Sequence, residues 1–214
     1  ELLLYAFLEC HLGAPKILTK LELKTSTSLY VNGADGVHYL RLPSGDYQLI
    51  FGESKTITDP ATAIREAFTS ISNFKNEINN QGQSKSGINY EKSLISDNLS
   101  KESFSPEDIA FITSLIYPKK ENDFHVDDAF GIFIGYQMDI STSDKSLPNN
   151  IFLDKIKKII SDEISGKIDL INRHIMEKNL IGHSFHIYVL PFTNLDKSRK
   201  YIMEGLTKWI GSMS

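Results

Sequence analysis

Two runs of alternating residues, 37–42 and 47–55, flank the turn sequence Pro43-Ser44-Gly45-Asp46. Proline, glycine and aspartate within four consecutive positions make a tight reversal, so the two runs pair as an antiparallel hairpin. A hairpin's register is set by its turn, and a slip of one residue would move every side chain to the other face. Each residue of both strands therefore has a defined neighbour, and the rest of the chain must be arranged around them.

The flanking segments extend the hairpin into a sheet. Residues 1–12 carry Leu4, Phe7, Leu8 and Leu12 at helical spacing, and Gly13-Ala14-Pro15 ends that helix. Glu1, Tyr5 and Glu9, four apart, share a second stripe of it. Residues 16–24 alternate, with Ile17, Thr19, Leu21 and Leu23 on one side, Lys16, Lys20, Glu22 and Lys24 on the other, and Leu18 as the exception. Asn32-Gly33-Ala34-Asp35-Gly36 is a turn-forming cluster leading into the hairpin. Beyond the hairpin, Asp59 is an N-cap and Pro60 a first helical residue. Ile64, Phe68, Ile71 and Ile78 mark one apolar face of that helix, through residue 79. The opening reads helix, three strands, helix.

Residues 80–105 are rich in Ser, Asn, Gly and Lys and read as a long connection, with Ile88, Tyr90, Leu94 and Ile95 able to hold a short element. Ser105-Pro106-Glu107-Asp108 caps a short helix running to Tyr117. A polar, acidic loop over 119–128 follows. Residues 128–140 read as a strand whose Gly131 and Gly135 mark a bulge or a close backbone approach. Residues 150–178 read as one long amphipathic helix, 184–192 as a strand and 194–210 as a closing helix. This order predicts one α/β (α+β) domain with a mixed sheet over 1–214, its core at 1–79 and 127–192, an insertion or connection at 80–126 and a closing helix at 193–214.

Composition narrows the function classes. The chain has 214 residues, 41% of them hydrophobic, enough to bury a sizeable core. Its longest apolar run, residues 2–8, is far short of the roughly 20 residues of a bilayer span. A single cysteine, Cys10, excludes an internal disulfide and suits a reducing, cytoplasmic compartment. The chain opens at Glu1 without a methionine, and upstream sequence is expected. A net charge of −4 weighs against an autonomous, strongly basic nucleic-acid binder. A local positive cleft needs only a few well-placed cations.

The chemistry-bearing stretch is 35–55. Glu53 and Lys55, two apart on the return strand, share one face with Leu49 and Phe51, and Ser54 takes the other. Hairpin pairing brings Asp35, at the far end of the partner strand, beside Glu53. Two carboxylates and a lysine then converge at one sheet end. Buried charges are costly unless paired or bound to a metal. Mg²⁺ binds through one or two carboxylates with waters and substrate phosphates, and Mn²⁺ is a natural substitute. The backbone carbonyl of Ser54 is a third ligand candidate, and Glu9, or failing that Glu1, can extend the acidic shell. The plain alternative is a solvated Glu53–Lys55 ion pair on an exposed strand, worth under about 1 kcal/mol.

Helix, Gly13-Ala14-Pro15, strand, Gly33-Ala34-Asp35-Gly36-Val37-His38, and Phe51-Gly52-Glu53-Ser54-Lys55 before a helix resembles the PD-(D/E)XK nuclease superfamily. Within it the chain is most similar to the HamA family, the nuclease subunits of Hachiman anti-phage systems. The likeness is clearest over residues 1–75. It implies a restriction-endonuclease-like αβββαβ core, with the motif aspartate at Asp35, the glutamate at Glu53, the lysine at Lys55 and a first-helix glutamate at Glu9. Ala34 stands where the superfamily often has proline. The resemblance also implies metal-dependent cleavage of DNA and a HamB-like helicase partner that restrains and then licenses the nuclease.

Other residues carry weaker signals. His183 and His186 lie three apart in a strand and point to opposite faces, so they do not share a metal. His38 lies close to Asp35 but suits a hydrogen-bonded structural role. Asp123, Asp127 and Asp128 lack the glycine and terminal glutamate of a calcium loop. Cys10 reads as a buried helical thiol. No phosphate-binding loop is present, so any ATP-driven step belongs to a partner. Lys16, Lys20 and Lys24 on one strand face, and Lys119-Lys120 in a loop, can contact phosphates or simply be solvated. Two rivals to the nuclease remain: a non-catalytic module that binds a helicase or DNA, and a restriction enzyme with its own sequence specificity.

Overall fold

The hairpin forms in the register its turn dictates. In the computed structural model, which describes residues 1–19, 33–76, 87–99 and 104–211, β2 (Gly36–Arg41) and β3 (Tyr47–Thr56) pair antiparallel, Arg41 opposite Tyr47 and Val37 opposite Phe51. Leu42 N–H bonds to the Asp46 carbonyl and Gly45 N–H to that of Leu42, closing the turn. Gly45 has φ +94°, a conformation that favours glycine.

β1 (Lys16–Thr19) adds antiparallel to β2, with an irregular register between Lys16 and Leu18. That bulge explains the break in alternation, for Ile17 and Leu18 are both buried. The remainder of the 16–24 strand reading lies outside the described residues. β4 (Val126–Gln137) lies parallel to β3, and β5 (Ser184–Phe192) parallel to β4. The five strands stand in the order β1-β2-β3-β4-β5, the mixed sheet expected.

Helices cover both faces. On one lies α1 (Leu2–Ala6), which continues as a π-helical turn (Phe7–His11). Leu4 and Leu8 pack there on Ile50, Ala129 and Phe133. On the other face, α2 (Pro60–Asn76), α3 (Gly87–Leu99) and α4 (Pro106–Ile116) build the main core with Val37, Leu49, Phe51, Phe130, Ile132 and Ile134. Asp59 caps α2 by accepting the Thr62 N–H at 2.7 Å, and Ser105 with Asp108 forms a capping box on α4. A short helix, α5 (Thr142–Lys145), leads to α6 (Asn149–Ser165), α7 (Ile168–Glu177) and the C-terminal α8 (Leu195–Gly211).

Three readings need correction. Part of the expected long connection is the helix α3: its Ser- and Asn-rich composition masks Ile88, Leu94, Ile95 and Leu99, which enter the core. Gly87 begins it against the backbone of α2, where a Cβ would lie 2.0 Å from the Phe74 carbonyl oxygen. The single helix over 150–178 is two, because Lys167 N–H bonds back to Ile164 at Gly166 and ends the first. Cys10 is exposed, on the outer side of the π-helical turn. No helix among the described residues is long and apolar enough to cross a membrane.

Candidate active site

The hairpin carries Asp35, Glu53, Ser54 and Lys55 to the end of the sheet where the N-terminus of α1 arrives. Gly36 and Gly52 make that approach possible. A Cβ on Gly36 would stand 2.8 Å from the Tyr5 ring, and one on Gly52 would stand 2.9 Å from Leu4. The helix therefore sits directly on the backbone beside the acidic residues, and the Tyr5 hydroxyl donates to the Asp35 carbonyl.

Asp35 is 5% exposed and held from two directions. Its N–H donates to the Gly52 carbonyl at 2.8 Å. Its carboxylate Oδ2 accepts the backbone N–H of Ser54, also at 2.8 Å. Glu53 and Lys55 alternate onto the α2 side of β3, as the period of a strand requires, and Lys55 Nζ lies 2.6 Å from Glu53 Oε1. Their side chains are 13% and 25% exposed, so the pair is largely withdrawn from solvent rather than set on an open strand. Ser70, on α2, stands beside Glu53 and favours its charged form.

Burial pushes the Glu53 carboxyl above the ordinary glutamate range. The hydrogen bond from Lys55 opposes this, the charge of Asp35 adds to the rise, and the charge of Lys55 and the Ser70 hydroxyl pull it down. An opposite charge arriving between Asp35 and Glu53 would relieve both the burial cost and their mutual repulsion.

The four residues open onto a cleft of about 680 Å³. Its floor is Asp35, Glu53, Ser54, Lys55 and Thr56. α2 contributes Ser70 and Asn73, β4 contributes Phe133, and the walls are completed by Glu1 with Leu2 and by Arg199 of α8. Glu9, the expected first-helix carboxylate, is exposed and is not among the lining residues; Glu1 is. The reason is direction. Leu4 rests on Gly52 while Leu8 rests on Ile50 and Gly131, so the helix runs away from the site, and at about 1.5 Å per residue Glu9 is carried beyond it. Among the described residues, no three His, Cys, Asp or Glu side chains form a group that could hold a metal ion. The acidic centre is a pair.

Ser70, Asn73 and Arg199 escaped the sequence reading. Ser70 had a signal, since it falls on the stripe Ala63, Ala67, Phe74, whose other members are buried. A polar residue on such a stripe signals a polar neighbour, and Glu53 is that neighbour. Arg199 had none, since only the packing of α8 brings it to the cleft.

The histidines stand elsewhere. His38 is fully buried on the α1 side, its Nδ1 3.1 Å from the Ala14 carbonyl oxygen, and burial lowers its pKa to about 4. It is a neutral structural histidine that does not line the cleft. His183 Nδ1 meets the Asp128 carbonyl at 3.0 Å and His186 Nε2 meets Gln48 at 2.9 Å, two separate bonds. Asp128 pairs with Lys92 at 2.8 Å. Lys119 and Lys120 are exposed, and Lys20 and Lys24 lie outside the described residues.

A family model described as HamA matches residues 1–206 of the chain. Neither a curated protein nor a solved structure matches it.

Proposed function

The chain belongs to the HamA family and so to Hachiman anti-phage defence, in which it acts with a partner, and on that premise we propose that it is the nuclease of that system, a metal-dependent hydrolase of DNA phosphodiesters. The observation that carries this reading is the buried Asp35 with the largely buried Glu53 and Lys55 beside it, facing an open cleft.

The donor set suits a hard divalent ion. Mg²⁺ keeps several waters and needs only one or two carboxylates, so a pair suffices when a substrate phosphate completes the shell. Asp35 and Glu53 would hold the ion, with the Ser54 carbonyl as a further oxygen. Mn²⁺ fits the same donors. When bound, such an ion supplies a water ionised near neutral pH and offsets charge on the phosphate under attack.

The chain's own residues do the rest. Ser54 N–H fixes one Asp35 oxygen. Lys55 holds the Glu53 carboxylate, and Ser70 favours its charged form. Lys55, beside Glu53, would face the attacking water and offset charge on the developing oxyanion. A partner helicase subunit would deliver the DNA.

The test is cleavage of DNA by the chain with its partner, in Mg²⁺ or Mn²⁺ and in chelator. Cleavage that needs the ion and disappears in Glu53→Gln supports the proposal. The rival, a non-catalytic helicase- or DNA-binding module, draws on the net charge of −4 and requires that Glu53→Gln leave defence intact.

A further inference from the structure

We infer that Arg199, on the C-terminal helix, is a DNA-phosphate-binding residue of this cleft; the inference rests on the nuclease reading. Arg199 lines the same cavity as Asp35, Glu53 and Lys55 although it is distant from them in sequence. One guanidinium nitrogen donates to the backbone carbonyl of Thr56, the residue after Lys55. The side chain is thereby tied to the end of the catalytic strand.

Of the two basic side chains that line the cleft, Arg199 is the one without a buried carboxylate partner among the described residues. The lining holds the acids Glu1, Asp35 and Glu53 against the basic side chains Lys55 and Arg199. Lys55 is engaged with Glu53. The partners of Arg199 are a neutral carbonyl and Asp196, at 3.4 Å and 94% exposed, a surface pair that does little to satisfy the charge. A guanidinium has five N–H donors in a planar fork, and two contacts leave a face for the paired oxygens of a phosphodiester.

The part of the helix that carries Arg199 is largely exposed. Of the stretch 195–205 only Leu195 is buried, and Tyr201 and Met203 are 78% and 61% exposed. This exposed stretch is nonetheless tied to the cleft by Arg199. We place the residue on a phosphate neighbouring the scissile one, where it seats the strand and takes no part in the chemical step.

The experiment is steady-state DNA cleavage by the chain with its partner, at several salt concentrations, comparing the parent with Arg199→Ala, Arg199→Lys and the exposed control Lys157→Ala. Arg199→Ala should raise KM about tenfold or more with kcat within about twofold. Its kcat/KM should lose about one counterion of salt dependence, a slope change near 0.9 on duplex DNA or 0.7 on a single strand. Arg199→Lys should keep the parental slope while recovering only part of the KM, because the charge remains and the fork is gone. Lys157→Ala should match the parent. A parental KM and slope in Arg199→Ala overturns the inference. So does a fall in kcat and thermal stability with the slope unchanged, which would make Arg199 a clasp for the helix. A parent that cuts no DNA in either metal overturns the nuclease reading and this inference with it.

Discussion

The Asp35 carboxylate accepts the backbone N–H of Ser54 at 2.8 Å, so the first acid of the site is anchored by the strand that carries the second. Asp35 cannot move without disturbing the Glu53-Ser54-Lys55 segment, and the separation of the two carboxylates is built into the backbone.

Asparagine at position 35 preserves that anchor, because its carbonyl oxygen can accept the same N–H while the charge is lost. Asp35→Asn should melt within about 1 kcal/mol of the parent in a urea titration. Its Mn²⁺ affinity by calorimetry, and its cleavage rate, should fall about 100-fold or more.

Glu53 sets the acid limb of the pH dependence. Its pKa in the fold is raised above 4.5 by burial. The folded state therefore holds a proton that the unfolded state has already released. The metal-free chain should lose stability as pH rises from the unfolded value through the folded one, and Glu53→Gln should flatten that slope in thermal melts. Metal affinity should run the other way, failing as pH falls through the raised value, because only the carboxylate binds the ion.

Lys55 lowers the Glu53 pKa by hydrogen bond and by charge. Lys55→Ala should shift the acid limb of the cleavage profile to higher pH and cut the maximal rate about 10² to 10³-fold. A loss of rate with the profile unmoved would show that the pair is not coupled in this way.

Ser70→Ala removes the hydroxyl that favours the charged form of Glu53. With that form less favoured, metal affinity or cleavage should drop about 10- to 100-fold, as for supporting residues around other metal sites. Chemical denaturation should move far less.

Gly52→Val tests the close approach of the first helix. The added Cβ falls 2.9 Å from Leu4 and 3.2 Å from the Gly36 carbonyl oxygen, which cannot yield without moving the backbone. A destabilisation of about 1 to 3 kcal/mol in urea melts is expected, together with reduced cleavage.

Local chemistry was legible in the sequence. The turn at Pro43–Asp46, the alternation of the hairpin and the Asp59-Pro60 start were enough to place Asp35, Glu53 and Lys55 at one end of the sheet. The glycines at 131 and 135 mark close approaches too: a Cβ would stand 3.1 Å from Ile50 and Leu8 at the first and 2.9 Å from Thr56 at the second. What escaped depends on packing between distant segments. Spacing puts Glu1 and Glu9 on one helix stripe but does not give the direction in which the helix crosses the sheet, which decides that Glu1 and not Glu9 lines the cleft. Arg199 comes from the far end of the chain, and α3 hides its apolar face in polar composition. The break at Gly166 turns on one i→i+3 hydrogen bond within an otherwise regular apolar period.

The most direct measurement is anomalous diffraction from a crystal soaked in Mn²⁺. The expected result is a manganese peak within about 2.0–2.3 Å of carboxylate oxygens of both Asp35 and Glu53. It should be absent from the same soak of Asp35→Asn. Manganese bound away from both residues, or no peak there at concentrations that support DNA cleavage, would contradict it.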